Sequence, residues 1–276
     1  MFAKSQPPPP RVLPIGATLD DVIRVVNDNT ARVQSLYSTE ASISVPLTPS
    51  LRANLAWERP RRLRLRAETS LAGPELDVGS NDQLFWFWVK RMEPPAVLYC
   101  RHEQYQQSAA PRMLPVQPDW IPEAIGLVTF EPGAQHSGPY PTREGQLEIR
   151  TVRSGPAGAQ TKVTVIDAAS AWVLQQHLYD ERGQLIASSI TSQHQSDPAS
   201  GATLPRRVEI QVPAHRFSMR LDLRSLQINT PGSNAALYEL PAYQNANLID
   251  MADPRVISPN TPVTTVAVPA ATNRYR

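Results

Sequence analysis

The chain has a single cysteine, Cys100, in 276 residues. Intramolecular disulfides and cysteine-cluster metal sites are therefore excluded, and Cys100 reads as a buried strand residue. One thiol does not set the compartment, because a domain of this length can bury an adequate core without staples. Lysine is nearly as scarce: of 27 basic residues only Lys4, Lys90 and Lys162 are lysines and the rest are arginines. With 25 acidic residues the formal net charge is +2, so no overall field draws the protein to nucleic acid or an anionic membrane. No stretch has the apolar length of a transmembrane helix, and the start, MFAKSQPPPPRVLP, lacks the apolar core of a signal peptide; the chain as given reads as soluble. The five histidines (His102, His136, His177, His194 and His215) stand singly, without partners at metal-ligand spacing. No nucleophile elbow, phosphate loop, dinucleotide fingerprint or zinc-binding helix is present, and spacing marks out no acid/base pair of carboxylates. The expectation is a protein that is not an enzyme, with no catalytic residues, metal or cofactor.

What is present is a change of period. Residues 1–17 form a proline-rich arm, expected to be extended and disordered, of the kind that tethers a domain to an anchor. Thr18 then reads as a helix N-cap with Asp20 and Asp21 at the positive end of the dipole. Leu19, Val22, Ile23, Val26, Val33 and Leu36 continue as one apolar stripe of about five turns. From Tyr37 onward side chains alternate with period two. Strands are expected at 38–47, 50–58, 61–70, 75–79, 83–91 and 96–105, and again at 145–153, 160–167, 171–180, 184–194, 203–212 and 216–229, with short links that imply antiparallel neighbours. Between the two sets, residues 106–127 carry Pro111, Pro115, Pro118 and Pro122, and 118–127 reads as a short helix that could act as a lid. Residues 244–276 read as a loosely attached tail.

Eleven or so strands with one apolar face need a cover, and the helices are too few. A helix shields about 10 Å of sheet width against a strand spacing of about 4.8 Å. Curling the sheet solves this, so the expected fold is α+β: a curved antiparallel sheet forming an incomplete, half-open barrel, with the N-terminal helix and a lid helix. In RPRRLRLRAE, Arg62, Arg64 and Arg66 alternate with Leu63 and Leu65, which puts the arginines on a solvated outer face and the leucines inside. Val208 and Ile210, and Phe217, Met219, Leu221 and Leu223, alternate with polar residues in the same way. The run Phe85, Trp86, Phe87, Trp88 is apolar on both faces and reads as core or lumen lining of a central strand, since exposed aromatics for base stacking would make an unusual surface patch. These twelve residues are the candidate ligand-contacting set.

Three patterns resemble the LolA/LolB-like superfamily of periplasmic lipoprotein carriers and lipid-binding lipoproteins. They are the amphipathic helix running into a strand; the corner Trp57-Glu58-Arg59-Pro60-Arg61-Arg62-Leu63-Arg64; and the closing run Leu204-Pro205-Arg206-Arg207-Val208-Glu209-Ile210, Leu221 to Asn229, Leu237-Tyr238-Glu239-Leu240-Pro241. Together they span residues 18–243. The resemblance implies a half-barrel that binds acyl chains and carries lipids or lipoproteins between envelope membranes. It also implies an arginine of the Arg-Pro corner that latches the lid, which by match of motif is Arg59, with Arg61 and Arg62 as alternatives. The proline-rich 106–122 and the long tail depart from the family pattern.

The leading expectation is a monomeric, non-enzymatic carrier or sensor of lipid or lipoprotein acyl chains in the periplasm or cell envelope. It has no nucleic-acid partner, envelope proteins are its potential protein partners, and its lipoprotein signal and anchor cysteine would lie upstream of Met1. The alternative is a structural or protein-interaction module with the same fold and a filled interior. A hydrolase would need a buried polar cluster around His102, His177 or His194.

Overall fold

The computed structural model describes residues 10–46, 48–69, 73–114, 120–155, 158–230 and 234–257. Helix α1 (Leu19–Ala31) starts where the sequence places it: Thr18 Oγ1 accepts from Asp21 N–H and the Asp21 carboxylate accepts from Thr18 N–H, a capping box. It stops a turn and a half early. Val33 and Leu36 leave the stripe because the Asn229 side chain bonds the corner that follows: its Oδ1 accepts from Gln34 N–H at 2.7 Å and its Nδ2 donates to Arg32 O at 2.6 Å.

The strands are β1 (Ser35–Ser44), β2 (Leu51–Glu58), β3 (Arg62–Thr69), β4 (Gly73–Ser80), β5 (Leu84–Val89) and β6 (Ala96–Arg101). The short helices α2 (Ala110–Met113) and α3 (Trp120–Ala124) follow. Then come β7 (Gln135–Pro141), β8 (Gln146–Gly155), β9 (Gly158–Asp167), β10 (Val173–Tyr179), β11 (Leu185–Ser192), β12 (Gln195–Ser196), β13 (Thr203–Leu204), β14 (Arg207–Val212), β15 (Phe217–Leu223), β16 (Gln227–Ile228), β17 (Asn247–Asp250) and helix α4 (Pro254–Ile257). One sheet runs β17-β6-β5-β4-β3-β2-β1-β15-β14-β11-β10-β9-β8-β7, with β16 beside β1 and β12–β13 apart. Neighbours are antiparallel except for parallel β17–β6. The two ends of that order do not pair, so the curved sheet is an unclosed α+β half-barrel, as expected.

Two strands of the large sheet were not expected. Residues 135–141 form β7 despite Gly138, Pro139 and Pro141, because it is an edge strand, where proline costs no ladder bond. Residues 247–250, expected in a loose tail, form the opposite edge as β17. The N-terminal arm is also partly docked: Leu13 is buried with Val22 and Val26, and the Val12 and Leu13 amides donate to Ala169 O. The rest of the arm, residues 1–9, and the tail 258–276 lie outside the described residues.

Candidate functional site

The register sorts side chains onto two faces. Leu55 faces Leu65 and Trp57 faces Leu63 across β2–β3; Ile43 faces Leu221 across β1–β15; Val208 faces Leu221 and Ile210 faces Met219 across β14–β15. This inner face converges on one buried cluster that includes Leu36, Ile43, Leu55, Leu63, Leu65, Val208, Ile210, Leu221 and Leu223. Each fully buried side chain of this kind contributes roughly 1.5–3 kcal/mol. The cluster is covered by α3 and the turn after it, through Trp120, Ala124, Ile125 and Leu127. Gly126 allows this close crossing: its φ is +103° and a Cβ there would lie 2.7 Å from Pro205 Cδ.

Of the twelve candidate residues, Leu63, Leu65, Val208, Ile210, Leu221 and Leu223 meet in this interior, with Phe217 and Met219 at its margin. Phe85 and Phe87 share the inner face through Ser80 and Val78 of β4. They pack farther along, against Leu98, Ala110, Leu114 and Met251. Trp86 and Trp88 are on the opposite, outer face, under Leu240, Tyr243 and Ala246. Strand alternation permits nothing else.

That outer face corrects a second expectation. Arg62, Arg64 and Arg66 do stand on it, opposite Glu58, Ala56 and Asn54 of β2, but it is not uniformly wet. Residues 235–246 cross it. The side chain of Arg64 is only 13% exposed, binds the fully buried Asp77 and the Leu237 carbonyl, and lies against the Trp86 ring. Trp86 Nε1–H and the Tyr243 hydroxyl also donate to Asp77, and Tyr243 stacks on Trp88 with centroids 3.8 Å apart. Burial, then the neighbouring Asp77, push the Tyr243 hydroxyl well above its ordinary pKa and keep it a donor.

The inner face is not apolar throughout. Beyond Val208 and Ile210 the ladder continues to Thr191 and Ser189 of β11, Gln176 of β10, Thr164 and Lys162 of β9, and Thr151 of β8. All are buried. Lys162 Nζ donates to the Glu123 carboxylate of α3 at 2.7 Å, and Gln176 Nε2 donates to Glu123 O at 2.7 Å. The short polar side chains gave no apolar signal, so the sequence reading extended one apolar face too far.

His102, His177 and His194 lie apart: His102 bonds Ser80 and Asn81 O, His177 bonds Gln175, and His194 bonds Val173 O and stacks on Trp172. Burial lowers the pKa of His177 and of His194. Two hollows of about 360 and 370 Å³ lie elsewhere, one on the outer face around Arg150 and Tyr179, the other beside α1 around Asp28, Trp172 and His194.

No protein-family model and no curated protein matches the sequence. Solved structures match the fold. A LolA superfamily protein from Nitrosomonas europaea superposes with a TM-score of 0.51 at 9% identity, over 81% of this chain and 98% of that one. A putative outer membrane lipoprotein-sorting protein domain from Vibrio parahaemolyticus gives 0.53 at 11% identity, over 78% and 95%. A DUF1329 family protein from Desulfovibrio piger gives 0.50 at 14% identity, over 79% and 97%. The chain has the LolA-like fold.

Within this LolA-like half-barrel, Arg59 sits at the β2–β3 corner with its guanidinium against Trp57. Its Nε donates to Val33 O and its Nη2 to Thr30 O, both at 2.9 Å, so it holds the C-terminal end of α1. The Thr30 hydroxyl in turn donates to Val128 O at 2.6 Å, and Asn27 bonds the Phe130 backbone. Arg59 therefore reaches the crossing segment behind α3 through α1. Arg62, by contrast, pairs with Asp82 at 2.6 Å; Asn229 closes one of the sequence patterns, but neither its contact with the end of α1 nor this relay is visible in the sequence.

Proposed function

We propose that the protein is a non-enzymatic carrier or sensor of lipid or lipoprotein acyl chains in a bacterial envelope, with Arg59 latching α1 and the crossing segment over the interior. One observation supports this above the others. The apolar side chains of β3, β2, β1, β15 and β14 converge on a single interior whose cover, among the described residues, is the short segment 120–127 and not a second sheet. The fold shared with a lipoprotein-sorting domain supports the envelope assignment.

Chain length decides the energetics. Displacing Trp120, Ile125 and Leu127 costs roughly 5–9 kcal/mol at about 1.5–3 kcal/mol each, whereas an acyl chain gains about 0.8 kcal/mol per methylene buried. Roughly six to eleven methylenes therefore offset the cover, and only longer chains bind with net gain. Titration of fluorescent acyl probes should show saturable binding with sixteen carbons and none with six; no saturation at sixteen carbons sinks the carrier reading.

Trp120, Ile125 and Leu127 fill the interior, and that observation favours a second reading: a protein-interaction module whose interior never opens. Failure of the long-chain probe to bind is its expected outcome.

A further inference from the structure

We infer that the polar part of the inner face, centred on Lys162, is a subsite for the anionic head of the bound amphiphile, a carboxylate or phosphate group, and that Glu123 of α3 occupies the anion position while the interior is covered. This rests on the carrier reading and adds the class of cargo.

The placement comes from the ladder. Ile210 borders Ser189, Ser189 borders Gln176, and Gln176 borders Thr164, with Lys162 two residues along on the same face. The polar group thus begins one strand from the apolar cluster, and Lys162 lies three strand spacings from β14, about 14 Å. An amphiphile with its tail between Leu65 and Ile210 can lay its head there without leaving the inner face.

The chemistry exceeds what anchoring α3 requires. A buried ion pair is often no more stabilising than apolar side chains of similar volume, yet Lys162 is buried to 4% exposure and paired with Glu123, whose carboxylate also has Arg153 at 3.8 Å. Lysine is used here in a chain that otherwise places arginine almost everywhere; its compact ammonium accepts one oxygen anion or another without fixed geometry. Beside it, Thr164 Oγ1 and Gln176 Oε1 are buried with no hydrogen-bond partner among the described residues. Unpaired buried polar atoms are costly, and Thr164 Oγ1, as a hydroxyl, can donate to a head-group oxygen.

The test compares fluorescent sixteen-carbon probes ending in carboxylate, phosphate or alcohol. The wild-type protein should hold the two anionic probes at least about ten-fold more tightly than the alcohol. In Lys162→Met combined with Glu123→Gln, which leaves no lone buried charge, that preference should vanish while alcohol affinity is retained. Glu123→Gln alone should raise affinity for the anionic probes several-fold, since a neutral amide competes less for the ammonium. Equal binding of all three probes by the wild type, or a preference that survives the double variant, overturns the subsite and leaves the carrier reading standing. Binding of no probe removes both. Sodium phosphate or acetate that displaces the anionic probes at equal concentration would show a site for a free anion and overturn the amphiphile.

Discussion

Gly79 has no room for a methyl group. A Cβ there would lie 2.0 Å from the Trp86 indole, so Gly79→Ala forces the ring off Asp77 and should cost about 1–3 kcal/mol, as overpacked cores do. A urea midpoint unchanged from wild type would show that the ring is not held there. At the same scale, burial holds His194 and His177 below their ordinary pKa. A depressed folded-state pKa means that the unfolded chain takes the proton first, so their stability contribution is complete above about pH 6.5 and is lost as pH falls through the lower folded values. Thermal midpoints should decline from pH 7 toward pH 5, above the window in which carboxylates protonate, and replacing both histidines by glutamine should flatten that decline. Equal slopes in variant and wild type would exclude the imidazoles as its source. Both effects were legible only in part: the aromatic run announced a buried strand, but not which neighbour each ring would press on.

At the scale of elements, the segment from Ala235 to Ile257 works as a strap. It carries Tyr238 and Tyr243 over the outer face of β3–β5, pairs as β17 with β6 and ends in α4. Trp86 and Trp88 are fully or nearly buried only because it is there. A chain ending at Asn234 should therefore expose two tryptophans and strip Asp77 of the Tyr243 hydroxyl. Red-shifted tryptophan emission, enhanced binding of a hydrophobic dye and self-association are the expected results, and an unshifted spectrum would mean that the strap does not shield the rings. The strap escaped the sequence reading because a four-residue parallel edge strand shows too few alternations to register, and β7 escaped because Gly138, Pro139 and Pro141 interrupt its alternation. The long alternating strands, by contrast, were placed to within a few residues, since period two survives wherever one face is buried. Helix α1 shows the limit of such patterns: its apolar stripe ran on to Leu36, but Asn229, nearly two hundred residues away, turns the chain at Arg32.

For the whole molecule, the question is whether the interior opens, and the acyl-chain titrations address it directly. The continuity of the sheet sets the layout: β1 pairs with β15, so the first and last long strands lie side by side and their apolar rows fuse into one interior. The sequence alone determined the class of fold, the capping of α1, the inward leucines and the outward arginines, because alternation and caps are local and each residue's neighbours along the chain suffice to read them. The tertiary structure alone decided that Arg59 grips α1, that the strap covers the arginine face, and that Glu123 meets Lys162 across the cover. Those contacts join residues far apart in the chain, and their partners are chosen by strand register and by the path of connecting segments, which no local period records.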